Sequence, residues 1–164
     1  TGYGLTSGTS NNEEWMHPVD MVSMIFDSTN LVQMQLSYDD MDIEGNIHGD
    51  ASSTDTLLTY PVVDKDYIIS IDYWLNDDDS INAMRFNTQK GESSDIYPDN
   101  SITADPDASS TVEGDTFILA GYVTYTNDNN HVTGMDVVML NQDTGQFQSI
   151  IGYRVIALVV FLWW

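Results

Sequence analysis

The chain has no cysteine among its 164 residues, which excludes disulfide staples, thiolate catalysis and cysteine-ligated zinc. Basic residues are almost as scarce. Four Lys and Arg stand against 26 Asp and Glu, a formal net charge of −22. Such a surface repels nucleic-acid phosphates and anionic lipid heads, so nucleic acid is excluded as a partner and membrane insertion is not expected. Salt tolerance, calcium-rich surroundings or solubility in a secreted protein would each favour this acidity. Proline is limited to four residues, and no stretch longer than a turn or two carries helical periodicity. The hydrophobic share is 41%, enough to argue against disorder and to bury the core of one domain.

Catalytic constellations are missing too. His17, His48 and His131 occupy separate polar stretches without metal-ligand spacing. No serine has a nucleophile-elbow context, and no glycine-rich loop precedes a helix. Carboxylate runs such as Asp77-Asp78-Asp79 are unavoidable at this acidity, and a solvated loop accounts for each of them better than a glycosidase pair. The expectation is a protein that binds rather than catalyses.

What is present is period-two patterning. Val22, Met24 and Phe26 alternate before Asp27-Ser28-Thr29-Asn30, and Val32, Met34, Leu36 and Tyr38 alternate after it. Side chains alternate across a strand, so this reads as a hairpin with one dry face and one wet face. A second hairpin lies in Asp66–Gly91. Ile69, Ile71, Tyr73 and Leu75 share one face there, Ile68, Ser70, Asp72 and Trp74 the other, with the turn at Asn76–Ser80. Met84 and Phe86 continue it, sharing a face with Asn82 and Thr88. A third joins Phe117–Thr126 to Val132–Leu140 through Asn127-Asp128-Asn129-Asn130-His131. Asn and Asp favour such turns because their side chains bond nearby backbone. Thr56–Val63 is a further short strand, and Pro61 confines it to an edge or a strand end. The chain is all-β.

Three segments lie outside this pattern. Residues 1–18 read as an extended N-terminal arm, with Trp15 as a plug over one end of the core. Residues 92–116 read as a polar surface insertion. Within 142–164, the run VIALVVFLWW is apolar on both faces and too short to span a bilayer as a helix. It fits a doubly buried strand of its own core, a strand completing a neighbouring subunit's sheet, or a membrane-surface anchor. In the second case Val155, Leu158, Val160, Phe161 and Trp163 would carry assembly of a homo-oligomer.

The loop 39–55 holds Asp40, Asp42, Glu44 and Gly45, which copy the first half of an EF-hand loop. The bidentate Glu such a loop requires is replaced by Ala51, so the EF-hand fails. A looser calcium site of Asp40, Asp42 and Glu44 stays open beside a solvated acidic loop; no other cofactor is expected.

The order of these signals resembles the jacalin-like lectin domain. The pieces are VSMIFDSTNLVQMQLSYDD, then His48-Gly49-Asp50, then DKDYIISIDYW and INAMRFNTQKG, then FILAGYVTYTNDNNHVTGMDVVML, covering about residues 19–141. The resemblance implies a β-prism of three antiparallel Greek-key sheets, where the strands alone leave a β-sandwich or jelly roll open. It also implies carbohydrate binding through an N-terminal glycine and a G-x-x-x-D loop in the last hairpin. Here Asn129 stands at the Gly and Thr133 at the Asp. Thr cannot offer the paired acceptor oxygens of a carboxylate. Asn127, Asp128, Asn130 and His131 are then the remaining polar groups for a rebuilt pocket, with Tyr97, Tyr125 or Trp74 to supply a ring. The resulting expectation is a secreted or cell-surface, non-catalytic lectin whose partners are glycans. Its rival is a structural subunit of an extracellular filament, sheath or surface layer, self-associating by strand exchange.

Overall fold

The computed structural model of the protein describes residues 3–4, 9–14, 17–38, 42–52, 54–63, 65–111 and 116–150. All regular elements among them are strands, thirteen in number, in three antiparallel sheets. The first sheet has the order β1 (Tyr3–Gly4), β12 (Val132–Asn141), β11 (Phe117–Thr126), β2 (Thr9–Glu14), with β13 (Phe147–Ile150) also on β12. The second runs β5 (Ile43–Glu44), β4 (Leu31–Tyr38), β3 (Val19–Phe26), β7 (Leu57–Pro61), with β6 (His48–Gly49) also on β4. The third is β10 (Ala108–Thr111), β8 (Ile68–Leu75), β9 (Ile81–Thr88). Three sheets around one core make a prism; a sandwich would have two.

Each sheet is built on one of the hairpins legible in the sequence, and the three hairpins share a plan. The first strand of each carries an extra residue, at Asp20, Ile69 and Ala120, in each case seven residues before the turn begins. The second strand carries another, at Val32, Asn82 and Thr133, in each case two residues after the turn ends. Such bulges bend a strand and exchange the faces of the residues on either side.

The bulges correct the strict alternation read from sequence. Ile68, not Ile69, joins Ile71 and Tyr73 in the core; Leu31 joins Met34, Leu36 and Tyr38, while Val32 is buried outside that cluster. Met24, Met84, Phe86, Tyr122, Met135 and Val137 complete a single cluster fed by all three sheets. Burial on this scale, at about 25 cal/mol per Å² of apolar surface, is the main force holding the sheets together.

Polar segments supply the shorter strands. Thr9–Glu14, inside the segment read as an arm, pairs with β11, and Ala108–Thr111, inside the segment read as an insertion, pairs with β8. Both pair with an outer edge of their sheet, and in the second Ala108 and Ser110 are buried while Thr111 is exposed. Residues 92–107 of that segment cover the outer face of the third sheet around Trp74. Trp74 is 5% exposed there, packed with Ala83 and Ile96, and its indole N–H donates to Ala104 O at 3.0 Å. Pro61 ends β7, an edge strand paired on one side only, to β3.

Candidate functional site

The three hairpin turns open on one end of the molecule. Asn76 Nδ2 lies 2.9 Å from both Thr29 O and Asn30 Oδ1, and Ser80 Oγ donates to Asn30 Oδ1 at 2.7 Å. The turn 76–80 is thereby tied to the turn 27–30. The third turn is located by Gly49, at φ +89°. A Cβ there would fall 2.1 Å from Val32 O and 2.9 Å from Val132 Cγ2. The feet of turns 27–30 and 127–131 therefore meet across Gly49. Only glycine fits so close an approach at a positive φ. This is the glycine of the His48-Gly49-Asp50 signature, and its neighbour His48 is buried, with Nδ1 2.7 Å from Thr124 Oγ1.

Turns 76–80 and 127–131 have the same backbone. In each, the first residue's N–H donates to the fifth residue's carbonyl, Asn76 to Ser80 at 2.9 Å and Asn127 to His131 at 3.0 Å. The fourth residue's N–H donates to the first residue's carbonyl at 2.9 Å, and that fourth residue, Asp79 or Asn130, has positive φ. Asp and Asn tolerate this conformation because their short polar side chains bond locally.

In the last turn Asn127 Oδ1 accepts the N–H groups of Asn129 and His131, both at 3.0 Å. Asn127 is thus spent on holding the loop. Asp128, Asn129 and Asn130 are exposed, and their side chains have no hydrogen-bond partner among the described residues. His131 is half-buried at the turn's end. Thr133 is different: as the bulge residue of β12 it is 7% exposed, and its hydroxyl donates to Tyr125 O at 3.3 Å. It is less exposed than Asp128, Asn129 and Asn130.

Of the three candidate rings, Tyr125 is half-buried two residues before the turn. Its hydroxyl donates to Asp136 Oδ2 at 2.7 Å. Burial, then the hydrogen bond and charge of Asp136, push the phenol up to about 12. The two other ring candidates lie elsewhere: Trp74 is buried under the 92–107 segment, and Tyr97 packs beside Tyr60 and Phe86. On the N-terminal side, β1 brings Gly4 opposite Gly134, close to the foot of the last turn.

Solved structures share this arrangement. Frutapin, a lectin from Artocarpus incisa, superposes with a TM-score of 0.64 at 13% identity, over 85% of this chain and 93% of its own. Artocarpin complexed with methyl-α-mannose gives 0.65 at 12% identity, over 85% and 94%. Jacalin in complex with T-antigen gives 0.61 at 12%, over 80% and 98%. The chain has the jacalin-type β-prism fold. No protein-family model and no curated protein matches the sequence.

Within the prism, the remaining sequence-derived candidates separate. Asp40 and the tail residues Val155, Leu158, Val160, Phe161 and Trp163 lie outside the described residues, as does Trp15. Asp42 and Glu44 are exposed, and among the described residues no group of three or more metal-binding side chains is brought together. Nor is any helix there long and apolar enough to cross a membrane. Sequence reasoning missed the pairing of turns 27–30 and 76–80. It also missed the likeness of turns 76–80 and 127–131, whose signal was available in the matched five-residue sequences NDDDS and NDNNH.

Proposed function

We propose that this protein is a non-catalytic, secreted or cell-surface carbohydrate-binding protein, and that the turn 127–131 is its sugar-contacting edge. The observation that carries the reading is the division of labour in that turn. Asn127 fixes the backbone, which leaves Asp128, Asn129 and Asn130 free to meet a ligand. Amides and a carboxylate together donate to and accept from neighbouring sugar hydroxyls. A loop already held in shape loses less entropy on binding than a loose one. Lectins of the same fold, among them artocarpin with mannotriose and jacalin with T-antigen, support the ligand class. The departure at Thr133 argues for a sugar selected by amides and Asp128 in place of the family's loop aspartate. A glycan array on the intact protein, with and without calcium, tests this. Binding to a defined saccharide is expected, and silence under both conditions would sink it.

A second reading, self-assembly of an extracellular structure, draws on the edge of β12. Tyr3–Gly4 faces Met135 and Gly134, and Phe147–Ile150 faces Leu140 to Val137, so two short segments share one edge end to end. Such a divided edge is suited to exchange with a strand from another copy. Light scattering on the protein with and without residues 155–164 decides it: a smaller particle after deletion supports assembly through the tail, an unchanged one removes it.

A further inference from the structure

The outer face of the first sheet is apolar and sheltered from water. Leu119, Tyr122, Met135, Val137 and Met139 turn into the core. Alternation and register then put Ile118, Val123, Asp136, Val138 and Leu140 on the other side of β11 and β12. Ile118, Val138 and the bulge residue Ala120 are at most 1% exposed, and Asp136 is 2% exposed. Their neighbours within the sheet do not account for this. Val138 stands opposite Gly121, which has no side chain to shelter it. Ile118, Ala120 and Val138 also belong to neither apolar cluster of the described residues. A carboxylate and aliphatic side chains on a sheet face lose water only when something lies over them. The matching face of the second sheet carries the half-buried Gln33 and Gln35 instead.

We propose that residues 151–164 of the same chain lie across this face and form its cover. The route is set by the sheet edge. β13 follows β12 as far as the pair Ile150 and Val137, and on the same edge Tyr3 already faces Met135. The chain beyond Ile150 therefore cannot continue along β12 and has to leave the sheet. Gly152 permits a sharp turn there. The inner side is filled by the core cluster, which leaves the outer side. The run VIALVVFLWW supplies an apolar surface without a single acidic residue, in a chain of net charge −22. Its ten residues reach about 33 Å when extended, at about 3.3 Å each. The five steps from Val123 to Ile118 need only about 17 Å on the same scale. Arg154, the one charged residue of the segment, has the sign that suits the buried carboxylate of Asp136. The third sheet follows the same plan, with Trp74 buried under residues 92–107 of its own chain.

This cover belongs to one copy, whereas strand exchange would give the tail to another, and it is independent of sugar binding. Because the chain has no cysteine, Val138→Cys introduces a single thiol on the covered face. Its reaction with a maleimide should be slow in the full chain, and truncation after Ile150 should speed it at least about tenfold. Equal protection after truncation overturns the proposal, with release by Trp15→Ala identifying the N-terminal segment as the cover instead. A second measurement needs no truncation. Leu140→Cys, carrying a benzophenone maleimide, is irradiated in an equal mixture of isotope-labelled and unlabelled full-length protein. Mass spectrometry of the digest then locates the crosslinks. Crosslinks to residues 151–164 within one isotope form are expected. Mixed-isotope pairs give the cover to a second copy and overturn the proposal, and so do crosslinks confined to other segments.

Discussion

His48 Nδ1 lies 2.7 Å from Thr124 Oγ1, and the imidazole packs on Tyr122 with ring centroids 4.5 Å apart. Both residues of the pair are buried, and each belongs to a different sheet: His48 to β6, Thr124 to β11. Tyr122 adds a bond from its hydroxyl to Met34 O at 3.2 Å. The first and second sheets are thus stitched by polar contacts inside an otherwise apolar core. Thr124→Val keeps the shape and removes the hydroxyl. A loss of about 1–2 kcal/mol is expected, because a buried polar atom loses its partner. Urea unfolding measures it as a lower midpoint at constant slope; an unchanged midpoint would mean the contact contributes nothing.

Gly49 and Gly91 make a controlled pair, since both have positive φ, +89° and +87°, but different surroundings. At Gly91 a Cβ meets nothing within 4 Å, so Gly91→Ala should lose only the left-handed backbone penalty of about 1–2 kcal/mol. At Gly49 the Cβ would lie 2.1 Å from a backbone carbonyl. Gly49→Ala is expected to cost about 4 kcal/mol or more, in the class of substitutions that expose a special site. Thermal melts of the two variants side by side check the order.

Acid stability should depend on Asp72. Its carboxylate accepts from Arg85 Nη2 at 2.7 Å, Arg85 Nε and Asn87 Nδ2 at 3.0 Å, and from Ser109 Oγ. Burial works to raise its pKa, but the hydrogen bonds of Ser109, Asn87 and Arg85 outweigh it and hold the group below its ordinary 3.8. A depressed carboxyl contributes stability that is present above the unfolded value and is lost as pH falls through the folded one. The wild-type protein should therefore lose stability below pH 3.8, and Asp72→Asn should flatten that part of the curve while lowering stability at neutral pH by about 1–3 kcal/mol. Denaturant midpoints across the acid range, for both proteins, supply the comparison.

In the last turn the two roles can be pulled apart by mutation. Asn127→Ala removes the acceptor of two backbone N–H groups and should lose about 1 kcal/mol of stability along with glycan binding. Asn129→Ala should leave stability within about 0.5 kcal/mol, as for an ordinary surface change, and still reduce binding. Paired melting and glycan-array measurements would show the split, and equal effects of the two variants would contradict it.

The hairpins were legible because their core faces repeat at period two and their turns are written in Asn and Asp. Val22–Phe26 and Met84–Phe86 needed no more than that. What was hidden follows from bulges and edges. An inserted residue at Ile69 leaves no mark in composition, yet it decides which of two neighbouring aliphatics faces the core. Thr9–Glu14 and Ala108–Thr111 are strands because β11 and β8 offer open edges, a tertiary cause that their own polar sequences do not announce. The site was legible as a set of polar turn residues. Their separation into Asn127, which builds the loop, Thr133, which sits inside, and the three free tips was not, since a side chain's partner depends on backbone geometry.

The shared hairpin plan has a consequence for how such a molecule diversifies. Bulges at fixed distances from each tip set the strand registers below the turns, so the tips can vary without disturbing the core. One copy can carry three different tips at the same end. Substitutions confined to one tip then leave the registers beneath the other two as they are.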